Sequence, residues 1–378
     1  MINSRYTDEA LVPYFPSFLN GAIRALRTST GFSDVEKRMT RVSMDREVRL
    51  QIELADLALV HWYQWDGVEL RAQRPENDEK LPFTSKRSGQ LENATILSYR
   101  PGRRLVITDT CDGTRVVIKA YRPRAYAAAI RGYKMAALIS EQTELLVPKI
   151  IHQDEESAYI TMSYLSGRSI DLSSEDQHYY FELGHALRQM QELSLDDALP
   201  VHTYEDEFKV LDQLAERVRR STGTLPADWV HYRSELEGLM GVVPTADFVL
   251  CHRDLYDKQV LAIEQSVGLL DFDSLCLADG CLDAANFLTH LTLRSLQEKS
   301  ISDQQIRACG QAFLDGFSQK GEEGFWPRLR FFQASTFLRL SLLYWLRPRH
   351  RHVCKNCLTI ARRCMKDVRE TGIKKCAS

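Results

Sequence analysis

The periodicity of hydrophobic residues changes near residue 90. Before that point, runs such as FLNGAIRAL and VRLQIELADLALVHWYQW place apolar residues at helical spacings and predict helices. The polar stretch RAQRPENDEKLPFTSKRSGQ follows, and its Pro, Gly, Ser and charged residues are typical of a linker. The sequence therefore predicts a helical N-terminal extension over residues 1–90.

Short, β-prone runs dominate residues 92–165. ATILSY and LVITDT are separated by a Pro-Gly turn, and TRVVIKAY follows an Asp-Gly turn. Two more strands are expected around 147–151 and 158–164, after an Ala-rich helix at about 125–140. We therefore expect a small α+β lobe with five strands and one helix.

Helical periodicity returns at Ser173 and continues to residue 346. Helices are expected at the run YYFELGHALRQMQEL and near residues 204–220, 228–240, 283–297, 303–318 and 327–346. A β-rich stretch from Phe248 to Asp273 interrupts them. The sequence thus predicts a mostly helical lobe over residues 166–346 and a helical, Cys-containing tail over residues 347–378.

The β-rich stretch, FVLCHRDLYDKQVLAIEQSVGLLDFD, has acidic residues at both ends of two short strands. Asp254 lies five residues before Gln259, Asp271 ends the second strand, and Lys119 lies on a strand of the preceding lobe. Phosphoryl transfer needs a carboxylate for the proton of the attacking hydroxyl, oxygen ligands for Mg²⁺, and a Lys on the ATP phosphates. The residue types and their spacing therefore favour a phosphotransferase site.

The order of these residues resembles that of the protein-kinase-like fold and, more narrowly, of the aminoglycoside phosphotransferase and choline kinase-like family. The residues that carry the resemblance are Lys119, His252-Arg253-Asp254, Gln259 and Asp271-Phe272-Asp273. The segments ITMSYLSG (160–167), LGHAL (183–187) and DGCLDAANF (279–287) also resemble family segments. The resemblance covers about 92–346 and leaves out the first ninety residues.

The resemblance implies a bilobal α+β fold and an ATP-dependent enzyme that moves the γ-phosphate to a hydroxyl of a small molecule, of the sugar or aminoalcohol type. It implies Asp254 as the catalytic carboxylate, and Gln259 and Asp271 as ligands of Mg²⁺. The nucleotide-binding residues it implies are Lys119, Arg100, Arg103, Ser163 and Leu165, with the last two on the strand that meets adenine. His252, Asp273 and Asp283 are expected to support the site.

Three departures from the family pattern affect this hypothesis. Gln259 stands where the family usually has Asn, and an amide oxygen one methylene further out can still bind Mg²⁺. The helix after Lys119 has no acid before Glu141, so the usual Lys–Glu pair uses Glu141 or Glu144 or is absent. The loop RPGRR replaces a glycine-rich loop, and its arginines suit either phosphates or a solvated turn.

These departures leave a second function open, a non-catalytic nucleotide-binding pseudokinase that acts as a regulatory or interaction module. A protein kinase is less well matched. Only nine residues separate Asp273 from Asp283, which is too few for an activation loop.

Charge and composition narrow the set of partners. Lys and Arg number 49 against 51 Asp and Glu, and a formal net charge of −2 gives no electrostatic footprint for nucleic acid. No apolar run is long enough to span a membrane, and the start has no signal-peptide pattern. We expect a cytoplasmic protein with a small-molecule acceptor, whose N-terminal extension is a candidate for binding a protein partner or for dimerisation.

Nine cysteines without a secretory signal predict free thiols in a reducing compartment. The last four are Cys354, Cys357, Cys364 and Cys376. The Cys-x-x-Cys pair after two histidines could be half of a zinc site. The helical spacing of the first three favours buried thiols instead.

Overall fold

The computed structural model describes residues 17–45, 49–56, 59–91, 94–193, 199–298, 300–317 and 322–376. Its α-helices are Ser17–Thr30 (α1), Val35–Arg38 (α2), Pro82–Lys86 (α3), Pro123–Gln142 (α4), Gln177–Glu192 (α5), Tyr204–Thr222 (α6), Trp229–Glu237 (α7), Cys281–Gln297 (α8), Asp303–Phe317 (α9), Phe325–Trp345 (α10) and His352–Cys376 (α11).

The strands are Met39–Met44 (β1), Leu50–Asp56 (β2), Leu59–Trp65 (β3), Leu70–Gln73 (β4), Thr95–Arg100 (β5), Arg104–Cys111 (β6), Thr114–Tyr121 (β7), Ile150–Asp154 (β8), Tyr159–Ser163 (β9), Arg168–Ser169 (β10), Phe248–Cys251 (β11), Val260–Ile263 (β12), Ser266–Leu269 (β13) and Cys276–Asp279 (β14). No helix in the described ranges is long and apolar enough to cross a membrane.

The described residues form two compact units. The first unit consists of the chain up to Arg74, Phe208–Glu237 and Phe337–Arg362. The second unit consists of Pro75–Glu207, Gly238–Thr336 and the chain from Arg363. The predicted domain limits of 1–90, 92–165, 166–346 and 347–378 stay a prediction.

The first unit contains an antiparallel sheet in the order β1-β2-β3-β4. The run FLNGAIRAL lies in α1, as predicted. The prediction of helix for VRLQIELADLALVHWYQW is wrong, because Leu50–Asp56 and Leu59–Trp65 within it form β2 and β3. Leu50, Ile52 and Leu54 are all buried, so apolar residues recur every second position along β2. That period of two fits a strand with one face on a core.

Residues 75–91 are a folded segment of the second unit and not the predicted linker. Phe83 of α3 is fully buried, and its ring centroid lies 5.0 Å from that of Tyr159 on β9. Asp78 accepts hydrogen bonds from the Tyr99 hydroxyl at 2.9 Å and from the Gly102 backbone N–H at 2.6 Å. The segment therefore braces the turn between β5 and β6.

The small lobe of the second unit is an antiparallel sheet in the order β5-β6-β7-β9-β8, with α4 between β7 and β8 along the chain. This confirms the predicted lobe of five strands and one helix. A Cβ at Gly132 of α4 would overlap the Phe272 carbonyl oxygen and lie 2.9 Å from its carbon. Because glycine has no Cβ, α4 packs directly on the turn that contains Phe272.

The helical lobe of this unit packs around two short sheets, β10-β12-β13 and β11-β14. The backbones of helices α5 and α9 are in direct contact, since a Cβ at Gly184 would overlap the carbonyl oxygen of Phe313. The hairpin β12–β13 pairs Val260 with Leu269, so the chain segments that precede and follow the hairpin lie next to each other. Those two segments carry the predicted site.

Candidate active site

The two site loops are held in unusual backbone conformations. Arg253 and Asp271 have φ angles of 68° and 70°, in the left-handed region that residues other than glycine rarely adopt. Residues held there cost of order 1–3 kcal/mol and require strong local support. Asp283 gives that support to the first loop by accepting the backbone N–H groups of His252 and Arg253 at 2.6 and 2.7 Å.

Asp283 is fully buried, and burial raises the pKa of its carboxyl, although His252 and the two N–H groups favour its ionised form. The His252 ring contacts the Leu270 carbonyl oxygen through Nε2 at 2.8 Å and lies edge-on to Phe272. The Leu270 N–H donates to the Gln259 carbonyl oxygen at 2.9 Å. These contacts join the two site loops to each other.

Lys119 of β7 is the buried cation of the site. Its ammonium donates to Asp271 Oδ1 at 2.6 Å and to Asp273 Oδ1 at 2.8 Å. It also donates to the Tyr133 hydroxyl of α4 at 3.2 Å. Burial alone would lower the pKa of Lys119, but its three polar partners outweigh burial and raise it. Lys119 is therefore charged at neutral pH.

Arg104, the first residue of β6, is a second cation on the same carboxylates. Its guanidinium donates to Asp271 Oδ2 at 2.7 Å and contacts Asp273 Oδ2 at 3.4 Å. Burial opposes ionisation of Asp271, but the charges of Lys119 and Arg104 outweigh it and hold the pKa of that carboxyl well below its usual range. Both oxygens of Asp271 thus contact a cation.

Gln259 lies beside Asp271 but not beside the lysine. It is buried, and its side-chain amide nitrogen is 3.3 Å from Asp271 Oδ2. The assignment of its amide oxygen and nitrogen depends on the partner, so a cation at Asp271 would favour the oxygen. The structure therefore brings Lys119, Gln259 and Asp271 together from three separate segments.

Asp254 differs from the other site carboxylates in exposure. Its side chain faces solvent and makes no hydrogen bond or ion pair with any described residue. The turn that carries it is fixed through its neighbours, because Asn286 of α8 donates to the Arg253 carbonyl oxygen at 3.1 Å. The Asn286 amide is itself held by the Thr336 hydroxyl at 2.7 Å. The Asp254 carboxylate is thus accessible from solvent.

The predicted adenine-binding strand lies next to Lys119. Register pairs Lys119 with Ile160 and Val116 with Ser163, so Ser163 lies three positions from the lysine along the β7–β9 ladder. The Leu165 carbonyl oxygen accepts the Gly167 N–H at 3.0 Å. Arg100 and Arg103 flank the turn braced by Asp78, one at each side of Pro101-Gly102. Their contact with a nucleotide stays a prediction.

Sequence reasoning missed Tyr121 and Tyr133, and it placed Arg104 only among the loop arginines that suit phosphates or a solvated turn. The Tyr121 hydroxyl donates to Asp273 Oδ1 at 3.0 Å. Tyr121 lies two positions after Lys119 on β7, so the period of a strand could have placed it on the same face. No sequence signal singles out Tyr133, because its contact depends on how α4 packs.

The Lys–Glu pair left open by the sequence is absent from the described residues. Neither Glu141 nor Glu144 contacts Lys119 there, and the Tyr133 hydroxyl takes the helix side of the ammonium. Burial raises the pKa of Tyr133 to about 12, so its phenol is neutral at physiological pH. The only carboxylates on Lys119 among the described residues are Asp271 and Asp273.

The donor set suits magnesium. Asp271 and Asp273 offer carboxylate oxygens and Gln259 offers an amide oxygen, all hard ligands. In the described ranges no group of three or more His, Cys, Asp and Glu side chains could hold a metal ion. Mg²⁺ needs no such cage, since it usually keeps several waters and binds one or two carboxylates together with substrate phosphates.

The cysteines of α11 that the structure describes are buried thiols. Cys354, Cys357 and Cys364 are each at most 4% exposed, and burial raises the pKa of Cys354 to about 12. A thiol with that pKa is protonated at neutral pH and is a poor metal ligand. The side chain of Cys376 lies outside the described residues. The burial of these three thiols agrees with the interpretation that the sequence favoured, and the zinc site stays the alternative.

Comparison with solved structures identifies the fold as that of protein-kinase-like phosphotransferases. A choline/ethanolamine kinase family protein from Mesorhizobium loti matches with a TM-score of 0.54 and 15% identity, over 78% of this chain and 98% of its own. A thermostable mutant of aminoglycoside phosphotransferase APH(4)-Ia matches with a TM-score of 0.56 and 13% identity, over 76% and 98%. Amicoumacin kinase hAmiN, solved with AMP-PNP, Ca²⁺ and Ami, matches with a TM-score of 0.54 and 14% identity, over 78% and 94%.

The sequence itself gives the family. The model of the phosphotransferase enzyme family, APH, matches residues 100–332. The chain belongs to this family. A search of curated proteins found no match.

Proposed function

We propose that this protein is an ATP-dependent kinase that moves the γ-phosphate to a hydroxyl of a small molecule, of the sugar or aminoalcohol type. The observation that carries the proposal is the meeting of Lys119, Gln259 and Asp271 from three segments, with Lys119 Nζ and Asp271 Oδ1 2.6 Å apart. Membership of the phosphotransferase family supports it. The eight described cysteines are free thiols, which suits action in the cytoplasm.

The nucleotide would lie along β7 and β9. Lys119 would bind the α- and β-phosphates, and Arg100 and Arg103 would bind phosphate oxygens from the turn between β5 and β6. Backbone groups near Ser163 and Leu165 would meet adenine. These groups bind and orient ATP before any bond changes.

Gln259 and Asp271 would hold Mg²⁺. When bound, the ion would neutralise charge on the ATP phosphates and help to align them. Asp271 is the carboxylate suited to this task, because its depressed pKa keeps it ionised at every physiological pH.

Asp254 would orient the acceptor hydroxyl and take its proton. As the acceptor oxygen forms a bond to the γ-phosphorus, the bond from that phosphorus to the β–γ bridging oxygen breaks and ADP leaves. The exposed Asp254 carboxylate makes no hydrogen bond with the described residues, so its lone pairs are open to this proton. The two carboxylates therefore differ in environment as their tasks require.

The acceptor side favours a neutral substrate. Asp257, close to the catalytic turn, is held by Arg294 of α8, with Arg294 Nε 2.7 Å from Asp257 Oδ2. An acid already paired in this way is a weak binding site for a polycationic antibiotic. We therefore prefer a sugar or another polyol as the acceptor.

One observation favours the alternative of a pseudokinase. Both oxygens of Asp271 are bonded to cations, and the helix carboxylate that usually holds the lysine is replaced by a phenol. A protein of this kind would bind nucleotide without turnover. Its N-terminal extension would then act on a protein partner.

A metabolite library separates these two functions. The purified protein is incubated with MgATP and sugars, aminoalcohols or aminoglycosides, and ADP release and acceptor mass are followed. We expect acceptor-dependent ADP release together with gain of one phosphoryl group by the acceptor. Nucleotide binding without turnover on any hydroxyl compound would instead support the pseudokinase.

A further inference from the structure

The buried lysine of a kinase-like site needs a carboxylate that holds its ammonium in position for the phosphates. Helix α4 does not provide one. The sequence from Pro123 to Ser140 contains no acid, and Glu141 lies two turns beyond Tyr133, about 12 Å along the helix axis. Another part of the chain must therefore hold Lys119.

The packing of α4 explains why a tyrosine meets the lysine. Gly132 lies against the Phe272 carbonyl, where a Cβ would clash, and the next residue, Tyr133, is directed to Lys119. The Tyr133 ring also packs edge-on against Phe272, with centroids 6.0 Å apart. Its neutral hydroxyl can orient the ammonium but cannot balance its charge.

Asp273 has the contacts of a lysine-holding carboxylate. Its Oδ1 accepts Lys119 Nζ at 2.8 Å and the Tyr121 hydroxyl at 3.0 Å, so that oxygen is fixed by two donors from one strand. Gln259, the other metal-ligand candidate, contacts Asp271 and not Asp273 among the described hydrogen bonds. The two carboxylates thus share Lys119 and Arg104 but differ in their third partner, which is Tyr121 for Asp273 and Gln259 for Asp271.

We infer that Asp273 is the positioning residue of Lys119, in place of the missing helix glutamate, and that the metal belongs to Asp271 and Gln259. This inference rests on the proposed function, since it concerns how Lys119 meets ATP. It assigns Asp273 to nucleotide affinity and Asp271 to metal affinity. The sequence predicted only a supporting role for Asp273, and its contacts with Lys119 and Tyr121 make that role specific.

The test measures binding of AMP-PNP to the full chain by calorimetry, over a range of Mg²⁺ concentrations. In Asp273→Asn we expect the dissociation constant at saturating Mg²⁺ to rise at least about 10-fold, with the half-saturating Mg²⁺ concentration within about 2-fold of wild type. In Asp271→Asn the half-saturating Mg²⁺ concentration should rise instead. Asp112→Asn, the same change on the exposed turn between β6 and β7, should match wild type in both.

A double-mutant cycle separates positioning from a general effect on the fold. If Asp273 acts through Lys119, then Asp273→Asn should weaken binding no further in a Lys119→Met background. Additive losses would show a structural effect and overturn the inference. Should Asp273→Asn fail to fold, Asp273→Glu keeps the charge and should fall between wild type and Lys119→Met in affinity.

The remaining outcomes are also decisive. A raised Mg²⁺ requirement in Asp273→Asn, with unchanged affinity at saturating Mg²⁺, would make Asp273 a metal ligand and overturn the inference. Unchanged binding in every respect would do the same. A wild-type protein that binds no nucleotide would refute the proposed function itself, and with it the inference.

Discussion

Four charged side chains of the site balance one another. Among the described residues, Lys119 and Arg104 face Asp271 and Asp273, so two cations balance two carboxylates. Removing one member of such a buried set leaves an uncompensated charge, which costs several kcal/mol. The four side chains therefore keep their contacts with one another until a ligand supplies replacement charge, as ATP phosphates and Mg²⁺ together would.

Arg104 and a metal ion should compete for Asp271. Because Arg104 donates to Asp271 Oδ2 at 2.7 Å, a cation that binds that oxygen must displace it. We predict that Arg104→Gln lowers the Mg²⁺ concentration for half-maximal thermal stabilisation at saturating AMP-PNP by roughly 10-fold, the scale of one charged hydrogen bond. Arg131→Gln, an exposed change on α4, is the control.

An unchanged or higher Mg²⁺ requirement in Arg104→Gln would show that Arg104 does not compete with the ion. The melting temperature without ligand should fall in this variant, because Asp271 loses one of its two cations. Arg131→Gln should change neither quantity.

The sequence predicted the members of the site that follow a spaced motif. Lys119, Gln259 and Asp271 were predicted together because their order along the chain resembles that of the family, and the structure brings their side chains together. Arg104 was grouped with the loop arginines that suit phosphates or a solvated turn, and only the fold shows that it contacts Asp271. A neutral Tyr133 in place of a glutamate has no sequence signature, since packing alone selects it.

Among the secondary-structure elements, α4 packs its backbone directly against the turn that contains Phe272. A Cβ at Gly132 would lie 2.9 Å from the Phe272 carbonyl carbon, against backbone that cannot yield cheaply. We predict that Gly132→Ala lowers the free energy of unfolding by about 1–3 kcal/mol, the usual cost of overpacking. Chemical denaturation measures this, and nucleotide affinity should fall with it because α4 carries Tyr133.

Gly241→Ala provides the matched control for this prediction. Nothing lies within 4 Å of a Cβ at Gly241, and its φ is not positive. The same substitution there should leave stability within about 0.5 kcal/mol of wild type. Equal effects of the two changes would show that α4 is not packed against Phe272 as described.

Strand and helix periods were read correctly where they were strong. The five-stranded lobe and the amphipathic helices after Ser173 appear near their predicted positions. The error at β2 and β3 arose because a run rich in Leu and Ala has high helix propensity. Pairing between the two strands, from Leu50 with Trp65 to Asp56 with Leu59, outweighs that local preference.

At the scale of the whole molecule, the order of residues along the chain does not coincide with the compact units. Contacts divide it into units made of separate segments, and both α6 and α10 contribute residues to each unit. A polar composition does not by itself mark a boundary between units. The segment 75–91 resembles a linker in composition, but it is folded, and its Asp78 accepts the Gly102 N–H in the turn between β5 and β6.

Turnover in an Asp254 variant tests the proposed kinase most directly. If Asp254 takes the proton of the acceptor hydroxyl, it acts only as the phosphoryl group moves. We predict that Asp254→Ala lowers kcat at least about 10²-fold, the usual scale of a lost general base. The dissociation constant of MgATP should stay within about 2-fold of wild type.

Asp247→Ala makes the same change at an exposed position just before β11 and should leave kcat as in wild type. The comparison uses acceptor phosphorylation at saturating MgATP in all three proteins. Wild-type turnover that survives Asp254→Ala unchanged would contradict the assignment of the catalytic carboxylate.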